Sequence, residues 1–300
     1  IEDQETYTFE QMLTNVMFAL AQSKEASSEN ICFFDEEVHK KKEFENFIES
    51  NMQQALDSQC FEMVLQPKMN LQTNSVIAAE ALVRWRLEDG TYLPPSSFVD
   101  IFEKNRFCSK LDFYMLKKAI QQIRKWIDMG INPVNISVNQ SKIVFYHENY
   151  ISELKSLLEE YNVSGSYITL EVLESTVIED IDIFNSILTE VKKLGFSVSL
   201  DDFGSGYSSL NVLSKLQIDE LKIDRIFLHT KSEVDNQRTK WILESIIDIA
   251  KKSQILVVVE GVESKQDDLF IKNLGADVGQ GYFYGRPLSI SAFNDLIETK

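Results

Sequence analysis

Glu80, Glu171 and Lys222 are charged residues set inside apolar runs: Ile77-Ala78-Ala79-Glu80-Ala81-Leu82, Leu170-Glu171-Val172 and Leu221-Lys222-Ile223. Charged groups in such surroundings are seldom buried unless they are paired or bind a metal. Four more polar groups take a similar place in or just after an apolar segment. They are Asn135 in Val134-Asn135-Ile136-Ser137, Asp201-Asp202 after Val198-Ser199-Leu200, Glu260 after Val257-Val258-Val259, and Gln280 in Val278-Gly279-Gln280-Gly281. Carboxylates brought together repel one another unless cations sit among them. Oxygen-only ligands of this kind suit Mg2+, Mn2+ or Ca2+ rather than zinc. Adjacent aspartates can put one carboxylate between two ions and the other on the second ion. Taken singly, a carboxylate just past a strand is more often a cap or a solvated turn residue, a reading that Glu80, Glu171 and Lys222 resist because apolar residues flank each on both sides. The run Asp201-Asp202-Phe203-Gly204-Ser205-Gly206-Tyr207-Ser208-Ser209 also reads as an N-capped turn before a helix.

What could bring these groups together is a set of alternating elements. Strands are expected at Phe61–Gln66, Ser75–Trp85, Pro133–Asn139, Tyr167–Leu173, Ser197–Asp201, Glu220–Ile223, Ile255–Glu260 and Ala276–Tyr282. Amphipathic helical stretches fall between them, such as Ser109–Met129, Asp180–Leu194 and Asn236–Lys252. Eight strands with helical crossovers point to an α/β fold, a TIM-like (β/α)8 barrel. In such a barrel, active sites collect at the C-terminal ends of the parallel strands. The link between the first two strands is too short for a parallel crossover, so one strand is expected to be antiparallel. The first fifty residues form a short helical and strand-bearing appendage with no independent core. Residues 1–50 and 51–300 are therefore read as separate units.

Bulk properties narrow the choice. Acidic residues outnumber basic ones 47 to 30, a formal charge of −17, which disfavours nucleic-acid polymers and anionic lipid. A small phosphate ligand is still allowed, because metals or a local Arg or Lys reverse the sign within a cleft. Cys32, Cys60 and Cys108 are widely spaced, with neither a disulfide framework nor a metal knuckle, which fits a reducing cytoplasm. No apolar run has the length of a membrane span, and Ile at position 1 suggests a fragment of a longer protein. Asp-Phe-Gly alone matches the kinase magnesium motif, but the other kinase elements are missing.

The ordered segments resemble the EAL phosphodiesterase family, named for the residues that stand here as Glu80-Ala81-Leu82. The likeness runs from about Phe61 to Leu296. It includes Gln66-Pro67, Glu80-Ala81-Leu82-Val83-Arg84-Trp85, Asn135-Ile136-Ser137, Leu170-Glu171-Val172-Leu173-Glu174-Ser175 and the Asp201–Ser209 loop. It continues through Leu221-Lys222-Ile223-Asp224-Arg225, Glu260-Gly261-Val262-Glu263 and Gln280-Gly281-Tyr282-Phe283 to Pro287. Two positions depart from the family, which usually has Thr where Leu173 and Ser205 stand. Met17–Lys24 and Ile31–Phe34 are similar to the last helix and strand of a GGDEF domain, without the motif that names it.

The resemblance implies hydrolysis of cyclic di-GMP to linear pGpG with two divalent cations, Mg2+ or Mn2+, and inhibition by Ca2+. It assigns Glu80, Asn135, Glu171 and Asp201 to one cation, and Asp201, Asp202 and Glu260 to the other. Lys222 would orient the nucleophile and the phosphate charge, and Gln280 would position water or a ligand. Glu260 is open between general base and ligand. Arg84 would bind a phosphate, with Gln66, Leu82, Asp224 and Pro287 as further substrate contacts. Glu174 and Glu263 would anchor loops. The resemblance also implies a homodimer through the barrel, upstream sensory or GGDEF domains, and a cytoplasmic domain of a protein that is itself open to membrane anchoring. The alternative is a catalytically weak or inactive EAL fold that binds cyclic di-GMP and signals to attached domains.

Overall fold

The computed structural model describes residues 8, 12–13, 15–20, 35–174, 181–204, 210–228 and 233–298. The chain divides into two compact units, Ile1–Asp57 and Ser58–Lys300. In the first unit, a 22-residue helix, Glu36–Asp57, begins with two acidic residues that favour a helix N-terminus. Phe18 meets His39 edge to face, with ring centroids 4.7 Å apart. The strand expected at Ile31–Phe34 lies outside the described residues.

The second unit is the expected barrel. Its strands are β1 (Phe61–Asn70), β2 (Ser75–Arg86), β3 (Tyr92–Leu93), β4 (Asn135–Gln140), β5 (Ile168–Leu173), β6 (Ser197–Phe203), β7 (Glu220–Ile223), β8 (Leu256–Val259) and β9 (Val278–Gln280). They run in the order β1-β9-β8-β7-β6-β5-β4-β2-β3, and a β1–β2 pairing closes the ring. β1 is antiparallel to both of its neighbours, while β2 and β4 through β9 pair in parallel. The reversal comes from a tight turn at 71–74. Asn70 Oδ1 accepts from the backbone N–H of Gln72 and Thr73, and Asn74 takes a left-handed φ of 52°. β1 continues past Gln66 to Asn70, four residues beyond the expected end, and this carries Lys68 into the barrel wall.

Strand alternation divides the wall chemically. On β4, β5, β6 and β7 the apolar set Ile136, Val138, Leu170, Val172, Val198, Leu200, Leu221 and Ile223 is buried. It makes the core with helices such as Cys108–Asp128 and Ile181–Lys193. The alternate positions on those strands include Ser137, Asn139, Glu171, Ser199, Asp201, Glu220 and Lys222, giving the barrel a polar lumen. An aromatic cluster of Phe61, Trp85, Phe98 and Phe102, with centroids 5.1–6.0 Å apart, braces the far end of β2 beyond Glu80. No described helix is long and apolar enough to cross a membrane.

Candidate active site

At the C-terminal mouth of the barrel, Lys222 gathers the carboxylates. Its Nζ lies 2.8 Å from Glu260, 2.9 Å from Asp201, 3.0 Å from Glu171 and 3.5 Å from Glu80. Lys222 is buried, yet these four partners overcome the cost of desolvation and hold its ammonium well above the ordinary lysine range. Glu171 shows the opposite balance. Burial alone would raise it, but Lys222 and Lys68 bring its carboxyl down to about 2.

Burial works against the charged form of the other carboxylates when no further cation is near. Burial raises Glu80, Asp201 and Asp202, and desolvation with repulsion from Asp201 and Glu80 pushes Glu260 up to about 8. Lys222, even with Lys68 behind Glu171, does not neutralise five carboxylates, so the mouth has the charge of a cation site. Asp201, Asp202 and Glu260 bring ligand oxygens within 4.8 Å of one another. An all-oxygen set of this kind fits Mg2+ or Mn2+.

The Asp201-Asp202 pair needs a distorted strand. Successive side chains on a regular strand point to opposite faces, so one of the two would leave the site. The β6–β7 register shifts between Leu200 and Phe203, and Asp202 adopts φ 55°, a left-handed value uncommon outside glycine. Asp202 N–H donates to Asp201 Oδ1 at 2.9 Å, which fixes the pair. Gly204 follows at φ +100°, where an added Cβ would fall 2.2 Å from the Phe227 ring. Its N–H donates to Glu174 Oε2 at 3.4 Å, so Glu174 holds the start of this loop. Ser205 and the rest of the loop to Ser209 lie outside the described residues.

Asn135 does not join the cluster. It opens β4 at the opposite end of the lumen, where its amide donates to Ser166 O and its Oδ1 accepts from Thr169. Asn139, two alternations further along the same face, takes the expected place and donates to Glu80 Oε1 at 3.1 Å. The correction follows from parallel-barrel geometry: the group at the mouth comes from a strand's last residues, and β4 ends at Gln140. Gln280 donates its amide to Glu80 Oε2. Glu80 thus carries a side-chain amide donor on each oxygen.

A cavity of about 390 Å³ opens above these groups, lined in part by Glu80, Asp202, Glu260, Gln280, Gln66 and Asp224. Gln66 donates to Gly285 O at 3.3 Å, and Asp224 caps the turn Arg225–Phe227 by accepting from Ile226 N–H. Glu263 reaches the rim, and its N–H and that of Ser264 both donate to Asp267, which anchors the segment after Glu260. Half-buried Arg84 donates to Val83 O. Leu82 faces a second, mainly apolar cavity of about 370 Å³. Pro287 lies two residues after Gly285, which accepts from Gln66, and is half-buried.

The helix Cys108–Asp128 steadies the segment after Asn139 through Asp112, whose Oδ2 accepts from both N–H and Oγ of Ser141. Burial pushes the Asp112 carboxyl up to about 7, against the opposing hydrogen bonds from Ser141. The folded state therefore keeps a proton that the unfolded state releases near the ordinary 3.8. The stabilisation is complete below about pH 4 and is lost as the pH rises through about 7, on the order of 4 kcal/mol in all. Asp112→Asn should gain on the parent protein in urea unfolding as the pH rises from 4.5 to 8, by about 3 kcal/mol over that range. An unchanged pH slope would refute the assignment.

The EAL domain profile matches residues 49–287. The chain belongs to the EAL domain family. Cyclic di-GMP phosphodiesterase NbdA of Pseudomonas aeruginosa is 33% identical over 288 residues, 96% of this chain and 36% of that protein. Cyclic di-GMP phosphodiesterase PdeR of Escherichia coli is 30% identical over 276 residues, 92% of this chain and 41% of that protein. This EAL chain thus spans about two fifths of the length of these curated relatives. Among solved structures, "PaMucR Phosphodiesterase, c-di-GMP complex" superposes with a TM-score of 0.75 at 32% identity, covering 82% of this chain and 99% of that one. Within the EAL barrel, Asn139 and Lys68 join the site beyond the residues named from the sequence; alternation along β4 and β1 puts both on the lumen face but does not fix their depth.

Proposed function

We propose that the chain hydrolyses one phosphodiester of cyclic di-GMP, giving linear pGpG. The observation that carries this reading is the convergence of Glu80, Asn139, Glu171, Asp201, Asp202 and Glu260 around Lys222 at the barrel mouth. Kinship with EAL proteins named phosphodiesterases supports it. Glu80, Asn139, Glu171 and Asp201 would hold one divalent cation; Asp201, Asp202 and Glu260 would hold the second. Bound cations supply acidification of water and charge neutralisation at phosphorus.

The chain's own groups do the rest. Lys222 orients the nucleophile and offsets the charge that builds on the phosphate oxygens. Gln280 fixes Glu80 and keeps its own amide beside the site. Arg84 offers a phosphate contact, with Gln66, Leu82, Asp224 and Pro287 as further contacts to the dinucleotide. In the reaction, a water oxygen bonds to phosphorus and the P–O3′ bond breaks. The products are a 5′-phosphate and a 3′-hydroxyl on one linear molecule. Glu174 holds the start of the loop after Asp202, and the segment of Glu263 is tied to Asp267 through its backbone N–H. The reading extends to a homodimer through the barrel and to residues 1–50 as the end of an upstream GGDEF-like domain.

The test is incubation of the purified chain with cyclic di-GMP and Mg2+ or Mn2+, followed by nucleotide chromatography. Appearance of pGpG, suppressed by Ca2+, supports the enzyme. Nucleotide that binds but stays intact favours the receptor alternative.

A further inference from the structure

Lys68 is a second fully buried ammonium, set below the mouth. Its Nζ lies 2.7 Å from Ser137 Oγ, 2.8 Å from Glu171 Oε1 and 2.8 Å from Glu220 Oε1. An ammonium has three N–H donors, and these three acceptors, drawn from β4, β5 and β7, use all of them. With its three donors taken in the barrel wall, Lys68 holds protein groups in place. In doing so it divides Glu171. Lys68 takes Oε1, and Oε2 lies 3.0 Å from Lys222. Because β1 runs against the other strands, its inward residues descend into the barrel, with Gln66 paired to Glu80 at the mouth and Lys68 paired to Ala78 beneath.

We propose that Lys68 is a positioning residue: it locks the Glu171 carboxylate so that Oε2 faces the cation site and Lys222 stays at the mouth. This deepens the phosphodiesterase reading and rests on it for the catalytic readout alone. Removing Lys68 by itself would strand two buried carboxylates, so the informative change is the charge-balanced pair Lys68→Met with Glu220→Leu. Groups that orient metal ligands from behind are worth about 10- to 100-fold in metal affinity or activity.

The pair variant should fold and melt near the parent temperature. In nucleotide-free protein, its Mn2+ affinity, followed by electron paramagnetic resonance, should weaken about 10- to 100-fold. kcat should fall by a similar factor, with KM for cyclic di-GMP nearly unchanged. In a Glu171→Gln background, the same pair should cause no further loss of Mn2+ affinity, because the effect passes through Glu171. A folded pair variant with parental Mn2+ affinity overturns the proposal. So does an equal, additive loss in the Glu171→Gln background. An unfolded pair variant also overturns it and leaves Lys68 a purely structural charge. If the parent protein binds Mn2+ but hydrolyses nothing, the phosphodiesterase reading fails, while the Mn2+ titrations still decide the role of Lys68.

Discussion

Glu80→Gln should abolish cyclic di-GMP hydrolysis, with turnover falling by at least about 10³-fold, while the barrel stays folded. The two halves of this result have separate causes. Glu80 lies at the meeting point of Asn139, Gln280 and Lys222, and in the proposed reaction it is one of the anionic oxygens that hold a cation. Its neutral replacement removes that charge where the phosphate's developing charge has to be offset. The fold survives because burial already works against the charged form of Glu80, so a neutral isostere gives up little of the desolvation balance. Gln has the same length and keeps one acceptor, leaving one amide contact to be remade, a loss of about 1 kcal/mol. Chromatographic turnover and thermal unfolding read the two halves independently. Undiminished turnover would sink the assignment of Glu80 to the cation site.

Much of this site was legible from the sequence, for a physical reason. A carboxylate or ammonium between apolar neighbours on a strand has few stable fates, and Glu80, Glu171 and Lys222 each pointed to a shared lumen. The short link after β1 likewise required an antiparallel start. Depth within the barrel was not legible. Asn135, Ser137 and Asn139 alternate onto one face, and only the end of β4 at Gln140 decides which of them reaches the mouth. Lys68 was hidden because β1 appeared to stop at Gln66, where Pro67 breaks the apolar pattern. The closeness of Asp201 and Asp202 could be suspected from adjacency alone. The means, a bulge with Asp202 at φ 55°, depends on pairing with β7 and has no local signature.

The second large effect is expected at Lys222, where charge serves both the fold and the chemistry. Lys222→Met should lower kcat by roughly 10² to 10³-fold, the usual cost of losing a fixed electrostatic group aimed at developing charge. In the absence of divalent cations it should also destabilise the protein by about 3 to 5 kcal/mol, because a buried ion cluster loses its only contact to Glu260, Asp201 and Glu80 that carries positive charge among the described residues. Those carboxylates would then retain protons to higher pH. A group whose folded pKa is raised stabilises below its unfolded value and loses that contribution as pH climbs, so the variant should be weakest in alkaline buffer. Glu260, already at about 8 in the parent protein, makes this visible between pH 5 and 9. Mn2+ should recover most of the lost stability, since a dication can take over the screening, but none of the turnover, since it cannot supply a donor at the position of Nζ. Urea unfolding with and without Mn2+, alongside turnover, separates the two roles. Stability that Mn2+ leaves unchanged would mean that the carboxylates do not form a cation site. Turnover that Mn2+ restores would mean that Lys222 acts as a counter-charge and not as a catalytic group.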